Sequence, residues 1–218
     1  MKTNKTYEHF DNGVKVVQLD DRYKFTMDSI LLAKFCTVKQ SDHVCEFCAG
    51  NGVISLHLYS QNPFTKLYFV EIQKSMCDLI FENINISNLT DKAVVLNKDI
   101  KDLQMSDFEK KLDVVVCNPP YQKLNGNKLN ECYEIAICRH ELLVKFEDIV
   151  KSVSKIIKNK GKFYFMLPTE RCTEAVLTLK KYNFEIKKMK FLFTNKDEAY
   201  LMLAEAVFDA KSGVKVFK

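Results

Sequence analysis

The sequence predicts an α/β fold: a doubly wound sheet of seven strands, mostly parallel with one antiparallel strand. From residue 42 onward, apolar runs of strand length alternate with segments of helical periodicity. Strict alternation with short loops builds a parallel sheet with helices on both faces. The run Leu112-Asp113-Val114-Val115-Val116-Cys117 is of the type buried on both sides. The last two strand patterns follow one another without a helix between them, so they pair antiparallel.

Residues 1–12 are polar and read as loose chain, and 14–18 as a short strand. A helix over 25–35 follows, where Thr26 or Asp28 can cap apolar residues recurring at helical spacing. The first strand of the alternating region is 43–47, and the Gly50-Asn51-Gly52 turn opens a helix over 53–59. Next come a strand over 66–71, a helix over 74–86, a strand over 93–96 and the strand over 112–117. A long polar loop leads to helices over 133–143 and 146–158, the second stopped by Asn159-Lys160-Gly161. A strand over 162–167, a helix over 170–181 and the strand pair 185–193 and 200–208 complete the pattern.

With 218 residues and 47% apolar content the chain can bury a full core and reads as one domain, 1–218. No stretch approaches the ~20 consecutive apolar residues of a membrane span, and Met1-Lys2-Thr3-Asn4-Lys5 leads into no apolar signal core, so a cytoplasmic location is expected. Eight cysteines are scattered, mostly in apolar runs, which suits free thiols in a reducing compartment. Cys45-Glu46-Phe47-Cys48 has no second pair or histidine cluster at ligand spacing, so no metal is expected. The net charge of +5, nearly all from lysine, permits a nucleic-acid partner.

The stretch with the most chemical content is Asn118-Pro119-Pro120-Tyr121, which ends the 112–117 strand. Two prolines cannot donate to a ladder, so the strand stops there, and their fixed φ stiffens the turn. The Asn118 side chain and the Pro119 carbonyl then form a rigid pair of hydrogen-bond acceptors, suited to a planar amine with two hydrogens, and Tyr121 adds a flat face for stacking.

Asn118-Pro119-Pro120-Tyr121 resembles the catalytic tetrapeptide of S-adenosyl-L-methionine (SAM)-dependent methyltransferases that modify exocyclic or amide nitrogens. That resemblance implies SAM as the cofactor and the Rossmann-like sheet of those enzymes. Glu46-Phe47-Cys48-Ala49-Gly50-Asn51-Gly52 resembles their acidic, glycine-rich first motif, with Cys48 where many members carry a glycine. Gly50 and Gly52 let the backbone approach a ligand, and Glu46 can meet its positive charge. Glu71, followed by Ile72, stands where an acidic residue binds ribose hydroxyls, and Asp99, followed by Ile100, where the family holds the adenine amine.

Within that class the chain is similar to small bacterial enzymes that methylate N6 of the adenosine 3′ of the anticodon in a valine tRNA. The similarity rests on Gln18, on Phe25-Thr26-Met27-Asp28-Ser29-Ile30-Leu31-Leu32-Ala33, on Val70-Glu71-Ile72-Gln73, on the Asn118 tetrapeptide and on Arg139-His140-Glu141. It implies that residues 1–40 form an extension packing on the cofactor site, with Asp28 over the methionine end. Tyr121, Lys123, Arg139 and His140 are the expected substrate contacts on the anticodon stem-loop. Lys128, Lys180, Lys181, Lys187, Lys188 and Lys190 are further candidates for phosphate. A monomer or weak homodimer with no membrane partner is expected. Other acceptors remain open: a ribosomal RNA base, a DNA adenine or a protein glutamine. A glutamine methyltransferase usually carries an extra N-terminal helical domain and a DNA enzyme an inserted recognition domain, for which the pattern leaves little room. A silent SAM-fold RNA-binding module is the remaining alternative, which detection of methyl transfer would dismiss.

Overall fold

The computed structural model describes residues 5–19, 26–120 and 144–217. Ten strands and five α-helices are defined among them. Strand β1 (Lys5–His9) and β2 (Lys15–Leu19) form an antiparallel hairpin, and α1 (Met27–Phe35) leads into the main sheet. Then β3 (His43–Phe47), α2 (Val53–Gln61), β4 (Lys66–Glu71), α3 (Lys74–Ile86) and β5 (Ala93–Asn97) alternate. After β6 (Leu112–Cys117) come α4 (Phe146–Ile156), β7 (Ile157–Pro168), α5 (Cys172–Lys181), β8 (Phe184–Phe193), β9 (Ala199–Phe208) and β10 (Lys215–Phe217).

The sheet runs β10-β8-β9-β7-β6-β3-β4-β5. Only β9 is antiparallel to its neighbours, as the strand pair without an intervening helix predicts. The strand count is eight, because three residues near the C-terminus add β10 in parallel to the edge of β8. The order reverses between β3 and β6, and the crevice at the carboxyl ends of those strands is where open α/β sheets bind ligands.

The side-chain period of two divides the core. On one face Phe163, Phe165 and Phe184 pack against Phe146, Ile149 and Val153 of α4 and Leu179 of α5. On the other, Val114, Val116 and Tyr164 pack against Leu32 and Ala33 of α1 and Ile54 and Leu58 of α2. A register shift between Leu112 and Val114 lets Leu112, Val115 and Cys117 share the first face. Asp113 sits in that shift with a carboxylate that accepts from the His43 N–H at 2.8 Å.

Several boundaries differ from the sequence expectations. Residues 5–9 are a strand, not loose chain; all five side chains are exposed, so the apolar alternation that marks a strand is absent, and pairing with β2 creates it. The helix over 146–158 ends at Ile156, because Ile157 is wholly buried and pairs with Leu112, pulling the chain into β7 before the Asn159-Lys160-Gly161 signal. The helix over 170–181 opens as a 3-10 turn over Thr169–Arg171. Thr26 occupies the N-cap position of α1 but makes no side-chain cap bond. The helix expected over 133–143 lies outside the described residues.

Candidate active site

The loop after β3 is shaped by backbone conformation. Cys48, Gly50 and Gly52 all have positive φ, at 52°, 55° and 78°. Glycine is favoured at such a φ, and the Cys48 side chain pays roughly 1–2 kcal/mol there. A Cβ on Gly52 would lie 2.9 Å from Cε1 of the Phe69 ring, whereas one on Gly50 would meet nothing within 4 Å. Gly52 is thus needed for packing, while Gly50 leaves open space at the crevice.

Two buried carboxylates fasten this loop. Glu46 points to the α2 side of the sheet, and its Oε2 accepts from the Ser55 N–H at 2.8 Å, satisfying an otherwise orphaned donor in the first turn of α2. Burial pushes its carboxyl up to about 8, against the N–H groups of Ser55 and Ile54 and with a smaller upward push from Glu71. At the end of β4, Glu71 accepts from the Gly50 N–H at 2.8 Å and the Gln73 N–H at 2.9 Å. Burial raises this carboxyl too, opposed by the N–H groups of Gln73, Gly50 and Ile72. Two carboxyls whose ionisation burial disfavours thus lie at the carboxyl ends of neighbouring strands, tied to the loop at Gly50 and to the start of α2, where a cationic ligand would favour their charged forms. The residues present therefore fit a sulfonium- and ammonium-bearing cofactor.

Neighbouring elements complete the rim. Asn97, at the end of β5, donates its amide to the carbonyls of Glu71 and Ile72, both at 2.9 Å, and so holds the turn that presents the exposed Ile72. Asp99 is the N-cap of the 3-10 turn Ile100–Asp102: Oδ1 accepts from the Lys101 N–H at 2.9 Å and Oδ2 pairs with Lys101 Nζ at 3.2 Å. Ile100 and Phe47 place their side chains in the core. Asn83 of α3 accepts from the Val17 N–H at 2.7 Å and donates to the Asn51 carbonyl at 2.9 Å, which ties the N-terminal hairpin to the loop.

Strand β6 delivers Asn118, half-buried, and Pro119, buried, to the same end of the sheet. Asn118 Nδ2 donates to the Ser29 hydroxyl at 3.2 Å, while Asn118 Oδ1 is buried and has no hydrogen-bond partner among the described residues. Buried acceptors are nearly always paired, so this one calls for a donor. The first turn of α1 is itself braced: Asp28 Oδ1 accepts from the Tyr200 hydroxyl at 3.1 Å. The structure thus brings Asp28, Glu46, Gly50, Gly52, Glu71, Asp99 and Asn118 to the carboxyl end of the sheet. Tyr121, Lys123, Lys128, Arg139 and His140 lie outside the described residues.

Ser29, Asn97 and Tyr200 were not singled out from sequence. Their pairings join residues up to 172 apart along the chain, and no local pattern encodes them. Among the lysines, Lys180 pairs with Glu185, Lys181 with Glu147 and Lys188 with Glu205, while Lys187 donates to the Lys211 carbonyl. Lys190 has no such carboxylate among the described residues. Cys45 is buried in the core, and no group of three metal-capable side chains occurs among the described residues. Nor is any described helix long and apolar enough to cross a membrane.

Residues 24–145 match the family model of the methyltransferase small domain. Among curated proteins, the chain is 24% identical over 183 residues to a tRNA1(Val) (adenine(37)-N6)-methyltransferase of Aliivibrio salmonicida, covering 83% of this chain and 76% of that protein. A protein of the same name from Dyadobacter fermentans is 21% identical, covering 80% and 71%. Among solved structures, a predicted O-methyltransferase from Agrobacterium tumefaciens superposes with a TM-score of 0.67 at 15% identity, over 86% of this chain and 84% of that one. The M. jannaschii tRNA m1G37 methyltransferase superposes with a TM-score of 0.66 at 16% identity, over 97% of this chain and 59% of that one. At such identities the two structures establish the shared fold.

Proposed function

The chain belongs to the methyltransferase small domain family and is a methyltransferase, and on that premise we propose that it transfers a methyl group from SAM to N6 of an adenosine in tRNA, specifically adenosine 37 of a valine tRNA. The observation that carries the reading is Asn118 Oδ1, a buried acceptor without a donor among the described residues, at the end of β6 beside the switch point of the sheet. An exocyclic amine supplies the missing donor. The names of the curated relatives favour the tRNA acceptor over glutamine or DNA.

SAM, when bound, supplies an electrophilic methyl group on a positively charged sulfur. Glu71 would take the ribose hydroxyls, exchanging its bonds to the loop for bonds to the ligand, and Glu46 would hold the loop and offset positive charge. The adenine N6 lone pair is delocalised into its ring. Acceptance of both N6 hydrogens, by Asn118 Oδ1 and the Pro119 carbonyl, favours a pyramidal nitrogen with a localised lone pair, so no general base is required before attack. Positioning and preorganised acceptors carry the catalysis. Tyr121 would stack on the base, which leaves a single-stranded loop at lower cost than a duplex.

The test is incubation with labelled SAM and separate pools of tRNA, ribosomal RNA, DNA and protein, followed by identification of the methylated product. N6-methyladenosine in tRNA is expected, and label confined to another pool refutes the assignment. Asn118→Ala should slow single-turnover methylation on the order of 10²-fold while SAM affinity changes little; an unchanged rate removes Asn118 from the acceptor site.

A further inference from the structure

We propose that Cys48 and Cys117 are a thiol pair that closes to a disulfide when a low-molecular-weight disulfide reaches the site, and that this bond switches the site at Asn118 off. The covalent step stands on the placement of the two thiols, while its effect on catalysis rests on the function proposed above.

The Cys45-Glu46-Phe47-Cys48 spacing suggests Cys45 as the partner of Cys48. An extended strand, however, separates residues three apart by about 10 Å, beyond the roughly 7 Å between Cα atoms that a disulfide can bridge. The sheet supplies a different partner. Phe47 pairs with Cys117 across the parallel strands β3 and β6, so Cys48 lies one strand across and one residue further on. Strands about 4.8 Å apart with a rise of about 3.3 Å per residue set these two Cα atoms roughly 6 Å apart, inside the range of about 4.4–6.8 Å that disulfides span. The Cys48 thiol is a hydrogen-bond partner of the Cys117 thiol. Both cysteines are free, and they differ in access: Cys48 is half-buried and Cys117 wholly buried. Burial also pushes the Cys117 thiol well up, which leaves Cys48 as the group that meets an oxidant first.

The exchange is balanced. The Cys48 thiolate attacks the small disulfide, forming a mixed disulfide and expelling one small thiolate. Cys117 then gives its proton to solvent, and its sulfur attacks that of Cys48 and expels the second small thiolate. Two protein thiols are oxidised and one small disulfide is reduced to two thiols. The new bond would join the loop that carries Glu46 and Gly50 to the residue directly before Asn118. Drawing the sulfurs from contact to a bond of about 2.05 Å moves both backbones, and a displacement of about 1 Å costs on the order of 10²-fold in rate.

The test uses the full chain with glutathione disulfide as the probe. After oxidation, mass spectrometry of the unreduced digest should find the Cys48 and Cys117 peptides joined, with no glutathione on either. Single-turnover methylation of an anticodon stem-loop should fall on the order of 10²-fold and recover with dithiothreitol. Cys48→Gly, which suits the left-handed φ at that position, should show no link and the same rate before and after oxidation. Cys117→Ala, which leaves Cys48 without a resolving thiol, should retain one glutathione at Cys48, the trapped first step. A parent digest without the Cys48–Cys117 link, or Cys117→Ala without glutathione at Cys48, overturns the thiol pair. A link that leaves the rate unchanged, or a Cys48→Gly rate that falls as far on oxidation as the parent's, overturns the switch. A parent inert towards tRNA overturns the proposed function instead, and the digests alone then decide whether the pair closes.

Discussion

Gly50 and Gly52 share a loop and a positive φ, yet alanine at the two positions should act on different properties. Both substitutions force an L residue into the left-handed region at roughly 1–2 kcal/mol, offset by about 0.4–1 kcal/mol because alanine restricts the unfolded chain. At Gly50 the new Cβ meets nothing within 4 Å, so about 0.5–1 kcal/mol of destabilisation remains. At Gly52 it lies 2.9 Å from Phe69 Cε1 and 3.2 Å from Cδ1. Phe69 is wholly buried on β4 and cannot swing aside, so overpacking adds roughly 1–3 kcal/mol. For a chain of this length each kcal/mol moves Tm by about 2–4 °C. Gly52→Ala should then melt on the order of 10 °C below the parent, and Gly50→Ala only slightly below it. SAM affinity should rank differently: at the site proposed above, a Gly50 Cβ would take up open space beside the loop, so Gly50→Ala should bind weakly while nearly fully folded. Thermal melts and calorimetric titration of both variants provide the assay. Equal loss of stability in the two, or parent-like SAM affinity in Gly50→Ala, would refute the division of labour.

Glu46 should make stability depend on pH. Its carboxyl is raised to about 8 in the folded chain against 4.5 for an ordinary glutamate, so the folded state retains a proton that the unfolded state releases between those values. The contribution is complete below about 4.5 and is lost as pH rises through 8. Glu46→Gln should flatten that part of the profile in urea titrations at several pH values, and an unchanged profile would show that Glu46 does not titrate there. Glu71→Ala should weaken SAM binding more than Asp102→Ala, because only Glu71 joins the loop at Gly50; equal calorimetric affinities would remove it from the site. Affinity for tRNA should fall steeply with salt, and Lys190→Ala should lower the slope by about one phosphate contact. Lys181→Ala should lower it less, since Glu147 already holds that ammonium; identical slopes for the two variants would leave both lysines as ordinary solvated charges.

Periodicity and turn chemistry alone determined the alternation of β3 to β9 with their helices, because those elements carry their signal in consecutive residues. The span of α3 over Lys74–Ile86 and that of β6 over Leu112–Cys117 were legible to the residue. So was the tetrapeptide that stops β6, since two prolines end a ladder wherever they occur. What stayed hidden was non-local. Strand β1 has no apolar face and exists only because β2 pairs with it, and Ile157 leaves the helical pattern because Leu112 lies beside it. The carboxylates of Glu46 and Glu71 look alike in sequence, but folding buries both and binds one to the start of α2 and the other to the Gly50 turn. A sequence names the groups at each strand end; only closure of the sheet sets their dielectric and their partners. That is why Asn118 could be singled out from its tetrapeptide, while the serine its amide bonds, 89 residues away, is brought to it by folding alone.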